Sequence, residues 1–244
     1  MKTTTIYKDD VRSWVMFGRD PNKANNVIDT NQYLITHRDR GMLVDPGGSE
    51  IFPSYLTALS NTISMEDLES IFASHQDPDI VSSLALWLGI KPELEFFAPS
   101  IWEGFIAHFG AGRAAIPIPD EGMIIPLNGS SDLFAVPSHY VHSSGQYGLY
   151  DERAKIFFSG DSGAALLPPS HGDIFVSNFD EHIQYMEGFH KRWMPSNRAK
   201  NNWVKRVREL DIDIMAPQHG ALFRGDDVQR FLDWFEALEV GIAA

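Results

Sequence analysis

Cysteine is absent from the 244 residues. That removes disulfides, thiolate zinc sites, iron–sulfur clusters and cysteine nucleophiles in one step, so any metal must be held by histidines and carboxylates. Cationic residues are scarce, 20 Lys and Arg against 33 Asp and Glu, for a formal charge of −13. Phosphate-backbone binding needs clustered Lys and Arg, so no nucleic-acid partner is expected. The one basic run, KRWMPSNRAKNNWVKRVR, reads as a solvated face of an amphipathic helical segment. Nothing approaches the roughly 18 consecutive apolar residues of a membrane span, and MKTTTIYKDDVRSW has no apolar stretch fit for a signal peptide. A cytoplasmic chain is the expectation. Internal repeats and low-complexity linkers are also missing, and residues 1–244 are expected to form a single domain.

What is present is a series of short β-type runs with loops between them. NQYLITH and GMLVDPGG read as a hairpin with HRDR in the turn. MEDLESIFASH ends in a buried strand, and DPDIVSSLALWLGI opens with helix-entry chemistry, with Asp79 as a candidate N-cap. LEFFAPS, GMIIPL, SDLFAVPSHYV, GQYGLYDE and KIFFSGD follow as strand segments, and Pro and Gly near 109–128 read as a surface loop with a short hairpin. The last third turns helical over about 179–210 and 225–240, with the strand DIDIMAPQ between. Sheets covered by helices fit this order better than an all-β sandwich.

Three of the nine histidines share a context. His75 follows SIFAS, His142 follows LFAVPSHYV and His219 follows DIMAPQ, while Asp161 sits in the same way after KIFFSG. Polar residues at strand ends lie where loops converge on sites. Asp77 and Asp79 extend the first of these endings to His75-x-Asp77-x-Asp79, three candidate ligands at alternate positions, followed by Ile80. Each has a bland alternative: Asp161 closing a turn in SGDSG, QHG as a simple strand exit, Asp79 as a cap.

Together, His75-x-Asp77-x-Asp79, His142, Asp161 and His219 resemble the ligand series of the metallo-β-lactamase fold. Their separations, 67, 19 and 58 residues between His75, His142, Asp161 and His219, are similar to those of flavodiiron proteins. NQYLI, LVDPG, HYVHSSGQYGLYD, FFSGD and PQHG have counterparts there too. The chain ends where a flavodiiron protein would continue into a flavodoxin domain, which makes it similar to the oxygen-binding diiron proteins, the ODP family. The resemblance implies an α+β fold, a metallo-β-lactamase-like αββα four-layer sandwich. It implies two iron ions (Fe2+/Fe3+) with a bridging oxo, hydroxo or peroxo group, and no flavin in this chain. His75, Asp77 and His142 would hold the first iron, Asp79 and His219 the second, and Asp161 would bridge them.

Three imidazoles and three carboxylates suit iron, with manganese or zinc as alternatives. Two positions depart from the flavodiiron pattern: Asp77 replaces a Glu, and Ile80 replaces a His, leaving the second metal an open position. His139 reads as orienting a ligand or loop, His182 as an ordinary helix residue, and His190 as the same or as supporting the site. Phe179, Tyr185 and Trp193 read as core or pocket wall. The function implied first is binding of dioxygen, or NO, as a sensor that signals to a receptor. An O2 or NO reductase fed by a separate electron-donor protein comes second, and a zinc or manganese hydrolase third. In flavodiiron proteins a homodimer brings flavin to iron; here a homodimer would have to serve another purpose.

Overall fold

A computed structural model describes residues 1–18, 27–109 and 114–242. The chain divides into two compact units, Met1–Leu133 and Phe134–Ala244, each built on its own sheet.

The first unit's seven strands lie in chain order. They are β1 (Lys2–Lys8), β2 (Arg12–Gly18), β3 (Asn31–His37), β4 (Arg40–Val44), β5 (Leu68–Phe72), β6 (Glu95–Pro99) and β7 (Ile116–Ile118). β1 to β4 are antiparallel neighbours, and β4 to β7 are parallel. The switch follows from the connections. A two-residue turn with Arg38 at φ 57° closes the β3–β4 hairpin expected from NQYLITH and GMLVDPGG. Each later strand returns parallel to its predecessor and so needs a crossover. α1 (Phe52–Ser60) serves the first, α2 (Pro78–Val81) and α3 (Leu84–Ile90) the second, and α4 (Glu103–Ile106) the third. β1, with its exposed Lys and Thr side chains and a bulge between Thr5 and Tyr7, makes a polar sheet edge that discourages pairing with other chains. Phe17, Leu34, Leu43, Tyr55, Leu59, Ile71 and Trp87 fill the core beneath. β8 (Met123–Ile124) lies in the Pro/Gly-rich stretch read as a loop with a hairpin; residues 110–113 of that stretch lie outside the described residues.

In the second unit the sheet order is β13-β12-β11-β10-β9, formed by β9 (Leu133–Pro137), β10 (Tyr147–Asp151), β11 (Ile156–Gly160), β12 (Ile214–Pro217) and β13 (Phe223–Arg224). β11 and β12 are parallel, and α5 (Phe179–Trp193) and α6 (Asn197–Val207) form their crossover, with α7 (Asp226–Ala237) closing the chain. The helical stretch expected over 179–210 is therefore two helices. Pro195 cannot donate an intrahelical bond and disfavours helical geometry in Met194. Ser196 restarts the helix by accepting from Ala199 N at 3.2 Å. Phe157, Trp203, Met215, Phe223, Phe231 and Phe235 pack as this unit's core. Among the described residues no helix is long and apolar enough to cross a membrane.

Candidate metal centre

In the first unit, β5 delivers His75 three residues past its end, fully buried. The loop from the end of β4 meets it. Asp45 accepts from Ser74 N at 2.8 Å and from Ser74 Oγ at 3.0 Å, and Ser74 Oγ lies 2.9 Å from His75 Nδ1. An ionised carboxylate only accepts, so the Ser74 hydroxyl hydrogen points to Asp45 and its oxygen accepts from His75 Nδ1–H. The chain of bonds fixes the imidazole tautomer and leaves the Nε2 lone pair for a ligand. Asp45 is held in turn by its own N–H, which donates to Phe72 O at 2.8 Å, and by the next loop residues, which bond to α2 and α3 through Gly47 N to Ile80 O and Trp87 Nε1 to Pro46 O.

Asp77 lies with one carboxylate oxygen 3.7 Å from His75 Nε2, while the other accepts from Gln76 Nε2 at 2.9 Å. It is Asp77, not Asp79, that occupies the N-cap position of α2, because Pro78 fills the first helical position. Its side chain makes no cap bond. Asp79 sits in the first turn of α2, half-buried. Ile80 is fully buried in the first unit's apolar cluster. An imidazole placed there would displace packed core.

The second unit brings its three candidates onto one point. Asp161 directly follows β11, and its Oδ2 lies 2.8 Å from His142 Nε2 while its Oδ1 lies 3.4 Å from His219 Nε2. One carboxylate thus faces two imidazoles, one per oxygen. His142 comes from the loop 138–146, five residues past β9, and Gln146 holds that loop: its Oε1 accepts from His142 N at 3.3 Å and its Nε2 donates to Val141 O. His219 follows β12, and Gly220 (φ 86°) lets this loop pass where a Cβ would meet the Ala165 backbone oxygen at 2.8 Å.

Around these residues the remaining candidates divide. His139 packs edge-on to Tyr147 at 5.2 Å. His142 meets Phe189 and Trp193 edge-on at 6.3 and 5.7 Å, and Trp193 is half-exposed, so it forms an outer wall for His142 rather than core. Phe179 is buried core and Tyr185 packs against it. His182 and His190 lie on the buried stripe of α5, and burial pushes both pKa values down to about 4, in His182 with help from His171. Sequence reasoning passed over Asp45, Ser74 and Gln146. LVDPG carried a signal for the first, because an acid before Pro-Gly in a buried strand exit needs a polar partner.

A family model described as "ODP family beta lactamase" matches residues 28–220. Two structures of a chemotaxis sensor ODP are similar to this chain. One is described as its peroxy diiron species, at 41% identity and TM-score 0.86 over 99% of this chain and 97% of that one. The other is the apo state from T. denticola, at 42% identity and TM-score 0.88 over 98% and 96%. A flavo di-iron protein mutant from Thermotoga maritima, 20% identical, shares the fold at TM-score 0.80 over 96% of this chain and 60% of that one. Curated relatives from Nostoc sp. and Methanocaldococcus jannaschii are 24% and 22% identical over 85% and 84% of this chain, which spans only 37% and 52% of their lengths. Two sheets with flanking helices and a match over most of the chain place it: this protein has a metallo-β-lactamase-like fold and belongs to the ODP beta-lactamase family.

Proposed function

We propose that the protein binds dioxygen at a diiron centre and reports the bound state to a signalling partner. In this reading His75, Asp77 and His142 would hold one iron, Asp79 and His219 the other, and Asp161 would serve both, within a single functional domain. The observation that carries this reading is Asp161 itself, with one oxygen beside His142 and the other beside His219. A carboxylate that serves two imidazoles on separate oxygens is set up to bridge two cations. The donor set fits iron, since imidazole with abundant carboxylate suits ferrous and ferric ions. The tautomer of His75 supports it from the first unit. Iron would supply the redox chemistry when bound; the chain's residues would hold it and screen it. The similar chemotaxis sensor described as a peroxy diiron species supports both the gas and the signalling role, and NO is a second diatomic that fits the same donor set.

Anaerobic reconstitution with ferrous iron is expected to load two ions per chain, and air then to raise a new visible absorption band with a single stoichiometric uptake of oxygen. No band on aeration overturns the oxygen reading. Continuous oxygen consumption with a reduced flavoprotein or rubredoxin-type donor would make the protein a reductase. Two zinc ions per chain with hydrolysis of a model ester would make it a hydrolase.

Asp45→Asn tests the support of His75. Asparagine tolerates the φ of 56° that residue 45 adopts, so the backbone stays. An amide, however, donates through its nitrogen, which allows the Ser74 hydroxyl to turn and donate to His75 Nδ1. The imidazole then carries its proton on Nε2 and cannot ligate. Metal affinity should fall by about 10- to 100-fold, read by competition with a chromophoric chelator; unchanged affinity would show that the bond chain does not set the tautomer.

A further inference from the structure

The second unit contains a buried histidine that ordinary core packing does not call for. α5 is capped by Asn178, whose side chain accepts from Glu181 N, and turns Phe179, His182, Met186 and His190 inward. Such a stripe at helical spacing is normally apolar throughout. His190 is fully buried, with Phe231, Trp234 and Phe235 around it at ring-centroid distances of 6.0, 5.4 and 5.1 Å. A leucine or phenylalanine would fill the same space without the cost of desolvating an imidazole.

Both ring nitrogens are engaged. Nδ1 lies 2.7 Å from Met186 O, and a carbonyl oxygen only accepts, so Nδ1 carries the proton. Nε2 is then the acceptor for Gly163 N–H, at 3.0 Å. Gly163 is two residues beyond Asp161 at φ 93°, where a Cβ would meet Met215 and Phe223 side chains at 3.0 Å. The N–H groups of this turn are accounted for one by one. Ser162 N donates to Ser159 O, Ala164 N to Asp161 O, Ala165 N to His219 O and Leu166 N to Tyr185 O. Four of the five acceptors are backbone carbonyls. The fifth is the His190 imidazole, and it reaches the turn where the chain leaves Asp161.

We propose that His190 is a positioning residue for the metal centre, a neutral acceptor that pins the 161–166 turn and so aims the Asp161 carboxylate between His142 and His219. Bridging geometry tolerates errors of only about 0.5 Å, and a turn with an orphaned buried N–H relaxes to find a partner. α5 acts on this turn twice, through His190 and through Tyr185 O. Its Phe189 and Trp193 also flank His142, so one helix braces two of the three ligands of this unit.

This inference rests on the metal-centre reading above, and cobalt(II) tests the two separately. Wild type is expected to bind cobalt with a defined visible spectrum; wild type that binds no metal sinks the metal-centre reading. His190→Phe fills the same volume without an acceptor and should lose metal affinity about 10- to 100-fold, with a shifted cobalt spectrum. His190→Gln, whose Oε1 can accept from Gly163 N–H, should stay within about threefold of wild type. His190→Phe with wild-type affinity and spectrum overturns the proposal, whatever its melting temperature, because that is the pattern of a purely structural core residue. Should His190→Phe fail to fold, the wild-type protein still decides: long-range 1H–15N correlation must show Nδ1 protonated and Nε2 bare, and the opposite tautomer overturns it.

Discussion

Asp161→Ala is expected to abolish two-metal binding while leaving the apoprotein as stable as wild type. Asp161 is only 4% exposed, and its carboxylate stands between two imidazole nitrogens at 2.8 and 3.4 Å. A bridging carboxylate gives one oxygen to each cation, so its loss weakens both sites at once. Affinity should drop by more than the 100-fold that marks the upper end for supporting residues. Without metal the desolvation of the same carboxylate opposes folding and its pairing with His142 at 2.8 Å favours it; the two offset, so removing it costs the empty protein little. Calorimetry with and without ferrous iron or cobalt separates the effects. At a metal concentration of 100 times the wild-type dissociation constant, wild type gains about 2.7 kcal/mol per occupied site, and the variant should gain almost none. Two metals bound per Asp161→Ala chain would end the bridging assignment. A collapse of the apoprotein melting temperature would instead make Asp161 a structural residue.

The candidate series could be picked out because its chemistry is local. His75, Asp77 and Asp79 stand within five residues, Asp161 directly follows β11 and His219 comes two residues after β12, so residue type and strand exit together point to them. The same holds for the order of strands and helices in the second unit, where periodicity changes abruptly between β11, α5 and β12. Asp79 reads as a candidate cap in the sequence, although a proline at the first helical position assigns the cap to the residue before it, Asp77. Pro195 similarly announced the break between α5 and α6. Other features depend on partners distant in sequence. Asp45 and Ser74 are 29 residues apart, and His190 meets Gly163 across 27. Nothing in the local pattern of FDEHIQYMEGFHKRW says which loop will dock on that helix face. Ile80 illustrates the converse: its position in the motif suggested a gap beside a metal, whereas its side chain is packed into the first unit's apolar core.

Lys200→Met should destabilise the protein by about 4 kcal/mol, the largest stability effect expected from any cationic residue of the basic run. That run, read as one solvated face, is split by Pro195, and Lys200 on α6 turns inward until only 1% of it is exposed. Its ammonium donates to the backbone oxygens of Phe235, Glu236 and Leu238, the carbonyls that α7 leaves without intrahelical partners at its end. It also sits 5.4 Å over the Phe235 ring. Burial lowers the Lys200 pKa and the nearby Glu236 charge opposes that shift; three carbonyl oxygens around the nitrogen, which only accept, match the three donors of an ammonium. Methionine keeps the length and apolar stem but no donor, so three carbonyls lose charge-assisted bonds worth about 1.5–3 kcal/mol each, less what water and local adjustment recover. For a chain of this size about 4 kcal/mol lowers the melting temperature by roughly 8–16 °C. Arg198→Ala and Lys205→Ala, on the exposed side of the same helix, should change stability by less than about 0.5 kcal/mol. Thermal unfolding of the three variants checks the contrast. If Lys200→Met melts with the surface pair, its carbonyl contacts do not hold the end of α7. If it melts far below them while retaining metal affinity, the basic run is a structural clasp on the chain's last helix rather than a surface for a partner.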